Sequence, residues 1–153
     1  MTAKEYLEEI HKFRREIHAL QLSIEELTVQ IEGLKAIDYS KVRVQTSPVN
    51  MLEELAGKLL DAKEEYARQI LLCHREIRQR VKQIRVLRGD YAAVLLQRYV
   101  ETDPDGLPLT WRRIASNLHR SVSSVTHIHS RALTEFNRVH GKSVQTYANK
   151  CVL

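Results

Sequence analysis

Ten apolar residues recur in unbroken step from the N-terminus: Ala3, Tyr6, Ile10, Phe13, Ile17, Leu20, Ile24, Leu27, Ile31 and Leu34. Their gaps alternate between three and four, a 3.5-residue repeat. Only a long helix packed along another helix uses so narrow a seam. With Ile10 as position a, isoleucine fills four successive a sites (Ile10, Ile17, Ile24, Ile31), and Phe13, Leu20, Leu27 and Leu34 fill the d sites. β-branched a with leucine d favours two parallel strands. The flanking pairs of such a dimer include Glu9–Arg14 and no like-charge clash, so a parallel homodimer is permitted.

A partner within the chain is also available. After a link over 36–50, a second helix is predicted over about 51–88. Its apolar line runs Leu52, Leu55, Leu59, Ala62, Tyr66, Ile70, Cys73, Ile77, Val81 or Ile84, and Leu87. Ser47-Pro48 marks its approach, because the residue before proline is driven out of the helical region. The two helices, over about 3–35 and 51–88, would be roughly 50 and 57 Å long. They match as an antiparallel hairpin, and hairpins can themselves pair. The seam residues therefore serve an oligomer, a hairpin, or both.

The chain of 153 residues holds only five glycines and three prolines, which suits an all-α fold. Two cysteines imply no disulfide framework and fit a reducing cytoplasm. The N-terminus is charged from Lys4, so no secretory signal is expected, and no window is apolar enough for a membrane span. Net charge is +5, a mild bias toward polyanions. The bias is local. From Thr110 onward seven cations face a single acid, Glu135, whereas residues 1–35 carry seven acids and five cations.

The third segment, 90–140, reads as a small helical domain, followed by a tail over 141–153. "DYAAVLLQRYV" is amphipathic, and Pro104-Asp105-Gly106 makes a turn within the 101–109 loop. Thr110 then caps a short helix from Trp111 to Leu118, and Ser121 caps a longer one from Val122 to about Val139. Only His119-Arg120 separates them. Two helices on so tight a turn, preceded by a third, form the helix-turn-helix arrangement.

On the last helix Val125, Ile128, Ala132 and Phe136 share an apolar face that must close on Ile114, Ala115, Leu118 and Leu95. The opposite side carries Ser123, Ser124, Thr126, His127, Ser130 and Arg131, with no acid among them. Short hydroxyls, an imidazole and an arginine suit a helix entering a groove of duplex DNA, where base edges present donors and acceptors. Thr110, Arg112, Arg113 and Arg120 sit at helix starts and in the turn, where cations and helix N-termini meet phosphates. His127 and His129 point about 200° apart on a helix and cannot share a metal. No acid is placed to orient a base, so neither catalysis nor a cofactor is expected.

"TWRRIASNLHRSVSSVTHIHSRALTEF" resembles the fourth region of bacterial sigma factors. The order of segments over about Lys4 to Phe136, including the link Val44-Gln45-Thr46-Ser47-Pro48, is similar to phage and mobile-element regulators of the ArpU and RinA type. The resemblance implies activation or control of phage late-gene transcription beside host RNA polymerase, in the host bacterial cytoplasm; with the helical arm as its pairing element, the expectation is a homodimer on double-stranded DNA. It puts Ser123, Ser124, Thr126, His127 and Arg131 on the recognition helix. The tail 141–153 has no counterpart in that pattern. Two other roles use similar parts: a small terminase-like subunit of DNA packaging, and a coiled-coil adaptor that binds RNA polymerase.

Overall fold

The computed structural model describes residues 1–35 and 48–150. Among them are five helices: α1 (Ala3–Lys35), α2 (Pro48–Arg85), α3 (Gly89–Tyr99), α4 (Trp111–Asn117) and α5 (Val122–Lys150). No strand occurs among the described residues, only an isolated antiparallel bridge between Thr102 and Pro108. Over the described residues the fold is all-α. None of these helices is long and apolar enough to cross a membrane. Most of the expected link over 36–50 lies outside the described residues, as do Val44 to Ser47.

α1 opens on a reciprocal cap. The Thr2 hydroxyl accepts from the Glu5 amide at 3.2 Å, and the Glu5 carboxylate accepts from the Thr2 amide at 2.7 Å. α2 begins at Pro48, three residues earlier than its apolar line suggested. Proline is favoured at a first helical position because the amide it lacks would have no partner there.

By compactness the chain divides into two units, residues 1–13 with 75 onward, and Arg14–His74. From the sequence alone the boundary is expected at residue 89. The first unit instead recruits the opening of α1 and the end of α2. Tyr6, Leu7 and Ile10 are fully buried in one core with Ile84, Leu95, Tyr99, Phe136 and Val144. Ile10 and Phe13, expected on the oligomer or hairpin seam, lie within this unit: Ile10 is enclosed by its own chain, and Phe13 faces Arg80. In the second unit Ile17 and Ile31 are buried, whereas Leu20, Ile24 and Leu27 are only half-buried.

α5 departs furthest from expectation. It does not stop near Val139 but runs to Lys150, so residues 141–150 are helix rather than tail. The reason is periodic: Phe136, His140, Val144 and Tyr147 continue the inward face at helical spacing. Gly141 does not stop the helix.

That extension closes over Arg80, which has no exposed surface. Its guanidinium lies 4.2 Å from the Tyr6 ring centre, 4.4 Å from Tyr147 and 5.0 Å from Phe13. Nε donates to the Tyr6 carbonyl at 3.1 Å, and Nη1 to the Glu76 carboxylate at 2.7 Å. A buried cation survives only with such compensation. Nη2 has no partner among the described residues. Arg80 thus ties α1, α2 and the end of α5 together.

Candidate nucleic-acid interface

A second core cluster sets the frame of the site. Ile114 and Ala115 of α4 pack with Val125 of α5, Val94 of α3 and Leu109 of the loop, flanked by Trp111, Leu118 and Ile128. Burying each large apolar side chain is worth about 1.5–3 kcal/mol, so α4 and α5 are held at a fixed crossing. The loop is pinned as well. Arg98 donates to the Leu109 carbonyl at 2.8 Å and stacks 4.7 Å from the Trp111 ring. Within the loop, Asp103 Oδ1 accepts from the Asp105 and Leu107 amides, and Gly106 takes a φ of 77°.

Hydrogen bonds cap the starts of α4 and α5 and close the turn between them. Thr110 Oγ1 accepts from the Arg113 amide at 3.3 Å, and Ser121 Oγ from the Ser124 amide at 3.1 Å. The Arg120 amide donates to the Ala115 carbonyl at 2.9 Å and the His119 amide to Ser116 at 3.2 Å. His119 has a φ of 51°, the left-handed position of a Schellman ending. This leaves the side chains of His119 and Arg120 exposed, with Ser121 as the cap before α5.

The structure places the named residues as follows. Ser123, His127, Ser130 and Arg131 are exposed, and Ser124 and Thr126 are half-buried. At 100° per residue, Ser123, His127, Ser130 and Thr134 lie within a sector of about 60°, on a strip roughly 16 Å long. No acid stands in that strip. Two of its hydroxyls donate to the helix's own carbonyls, Ser130 to Thr126 and Thr134 to Ser130, as does that of Thr126 at its margin, to Ser123. Their outward lone pairs remain acceptors.

Arg112 and Arg113 are exposed at the start of α4, beside Thr110, whose hydroxyl proton stays available. Arg120 differs. Its Nη2 lies 2.7 Å from Asp90 Oδ2 at the start of α3, a solvent-exposed pair that helps orient the turn. Such pairs are worth about 0–1 kcal/mol, so a phosphate can compete for the arginine.

His129 is turned inward, away from His127. It is buried, with Nε2 2.9 Å from the Tyr99 hydroxyl and the Trp111 ring edge-on at 4.9 Å. Burial, with Arg98 and Lys4 adding to it, lowers its pKa to about 4, and burial pushes the Tyr99 phenol up to about 12. At neutral pH a neutral imidazole and a protonated phenol satisfy each other. No cluster of three or more His, Cys, Asp or Glu among the described residues is placed to hold a metal.

Compared with known protein families, curated proteins and solved structures, the chain matches none.

Proposed function

We propose that the protein is a sequence-specific DNA-binding transcriptional regulator. In this reading α4 and α5 are a sigma-like helix-turn-helix, and the first half of α5 lies in the major groove. The observation that carries it is the exposed, acid-free strip of Ser123, His127, Ser130 and Thr134 on a helix whose other side is packed in the core. A merely solvated helix in this chain looks different: Glu8, Glu9 and Lys12 of α1 show the usual mixture of paired charges. Arg131 flanks the strip and reads base edges, with Ser124 and Thr126 at its margin. Arg112, Arg113, Thr110 and Arg120 set the register through phosphates.

The resemblance to phage regulators adds the setting: control of late genes, beside host polymerase. The arm formed by α1 and α2, as a hairpin that pairs with a second copy, presents two recognition helices to half-sites about one helical turn apart. The half-buried Leu20, Ile24 and Leu27 supply apolar surface for that pairing.

Selection of bound fragments from a random duplex pool tests the reading. A recovered consensus with two-fold symmetry, bound with steep salt dependence, is the expected result. Recovery of unenriched sequence overturns it.

A further inference from the structure

The end of α2 carries a basic face that the DNA reading above does not use. Arg75, Arg78, Lys82 and Arg85 recur at spacings of three, four and three. At 100° per residue they lie within about 80° of one another, on the side of α2 opposite Arg80 and Ile84. All four are exposed, whereas Arg80 and Ile84 are fully buried. None of the four makes an ion pair among the described residues. The sole acid of the stretch, Glu76, is taken up by Arg80 at 2.7 Å. Arg88, also exposed, extends the row at the start of α3.

Just beyond this row, past the end of α2, the chain runs beside the candidate recognition helix. Val86 and Arg88 line one cleft together with Arg138 and Val139 of α5, and His140 Nε2 lies 3.1 Å from the Gln83 carbonyl. Arg138 shares the azimuth of His127, eleven residues further along α5, so the outer side of α5 reaches that cleft, three residues past Arg85 at Arg88. Arg138 itself is held bidentately by Glu135 at 2.9 and 2.7 Å. The unpaired charge therefore belongs to α2.

We propose that the face formed by Arg75, Arg78, Lys82 and Arg85 binds the phosphate backbone of duplex DNA flanking the sequence read by α5. The row is about 15 Å long, and one strand of a duplex presents a phosphate every 3.4 Å of axis, so three or four phosphates fall within its reach. Four cations that make no ion pair among the described residues confer affinity without sequence preference. The inference rests on α5 reading DNA, and it assigns the sequence-independent share of binding to a helix outside the helix-turn-helix.

The test is fluorescence anisotropy on two duplexes, the selected site alone and the same site with random flanks on both sides. The full-length protein is compared with the triple variant Arg78→Gln, Lys82→Gln, Arg85→Gln and with His127→Ala, each checked for helix content and melting. These positions are exposed, so the triple variant should melt like the wild type. On the flanked duplex its slope of log affinity against log salt should be shallower by about 2–3, at roughly 0.9 per phosphate lost. Its affinity should fall about tenfold or more. On the bare site it should equal the wild type within twofold. An unchanged slope on the flanked duplex overturns the proposal, even where His127→Ala still relaxes base preference and so upholds the reading of α5. Competition by polyglutamate against the wild type but not the triple variant, with DNA slopes equal, would assign the face to an acidic protein and overturn it too.

Discussion

The ring of Tyr147 lies 4.4 Å from the buried guanidinium of Arg80, which binds the last turns of α5 to the end of α2. The helix proposed to read DNA is thus anchored at its far end by a cation held between aromatic rings from α1 and α5. Orientation of the face proposed to read DNA therefore depends on a contact about 20 residues away along one continuous helix.

Removing that anchor should be costly, and in a way that distinguishes packing from charge. Arg80→Ala should lower unfolding stability by about 3–5 kcal/mol, since it empties a buried site and breaks a buried pair. Arg80→Met should recover a good part of this, because Nη2 has no partner and Glu76 is half-exposed to water. Tyr147→Ala should cost about 2–4 kcal/mol. Urea unfolding followed by circular dichroism measures all three. A Tyr147→Ala cost below about 0.5 kcal/mol would mean that the end of α5 is not docked.

Strain in the turn offers a gain. His119 sits at a φ of 51° with its side chain exposed, a conformation that glycine adopts freely. His119→Gly should raise stability by about 0.5–1 kcal/mol, the left-handed penalty less the added entropy of the unfolded chain. Gly141 is the converse case. It lies within α5, and a Cβ there meets nothing nearer than 3.5 Å, so Gly141→Ala should stabilise by about 0.5–1 kcal/mol. Loss of stability in either variant contradicts the backbone described here.

His129 makes the fold sensitive to acid. Its folded pKa, about 4, lies below the ordinary 6.5, so protons bind the unfolded chain preferentially. Its contribution is intact above pH 6.5, declines as pH falls toward 4, and is gone below that. The slope approaches 1.4 kcal/mol per pH unit. Between pH 7 and 4 the difference in melting temperature between wild type and His129→Gln should narrow or reverse. A difference that stays constant over that range would show that His129 does not titrate there.

Much of this was legible in the sequence where the chemistry is local. Thr110 and Ser121 stand at caps because a hydroxyl before an apolar period has one evident use. The split of α5 into an inner face with Val125 and Ala132 and an outer one with Ser123 and His127 follows from its 3.6-residue period. What was not legible depends on distant residues. Arg80 reads as a solvated helix residue until Tyr6, Phe13 and Tyr147 meet around it. Residues 141–150 read as a tail because Gly141-Lys142 resembles a stop, although Val144 and Tyr147 keep the period. The basic face of α2 is masked by averaging with the acids from Glu53 to Glu65 in the same helix.

The central claim is most directly tested by measuring base preference at the selected site for four single variants. Arg131→Ala and His127→Ala should each cost about 1–3 kcal/mol at the site and flatten discrimination at particular base positions. Arg112→Ala and Arg113→Ala should weaken site and non-site duplexes by the same factor. Discrimination left intact by both Arg131→Ala and His127→Ala would contradict the account, because the exposed strip of α5 would then not be what reads the DNA.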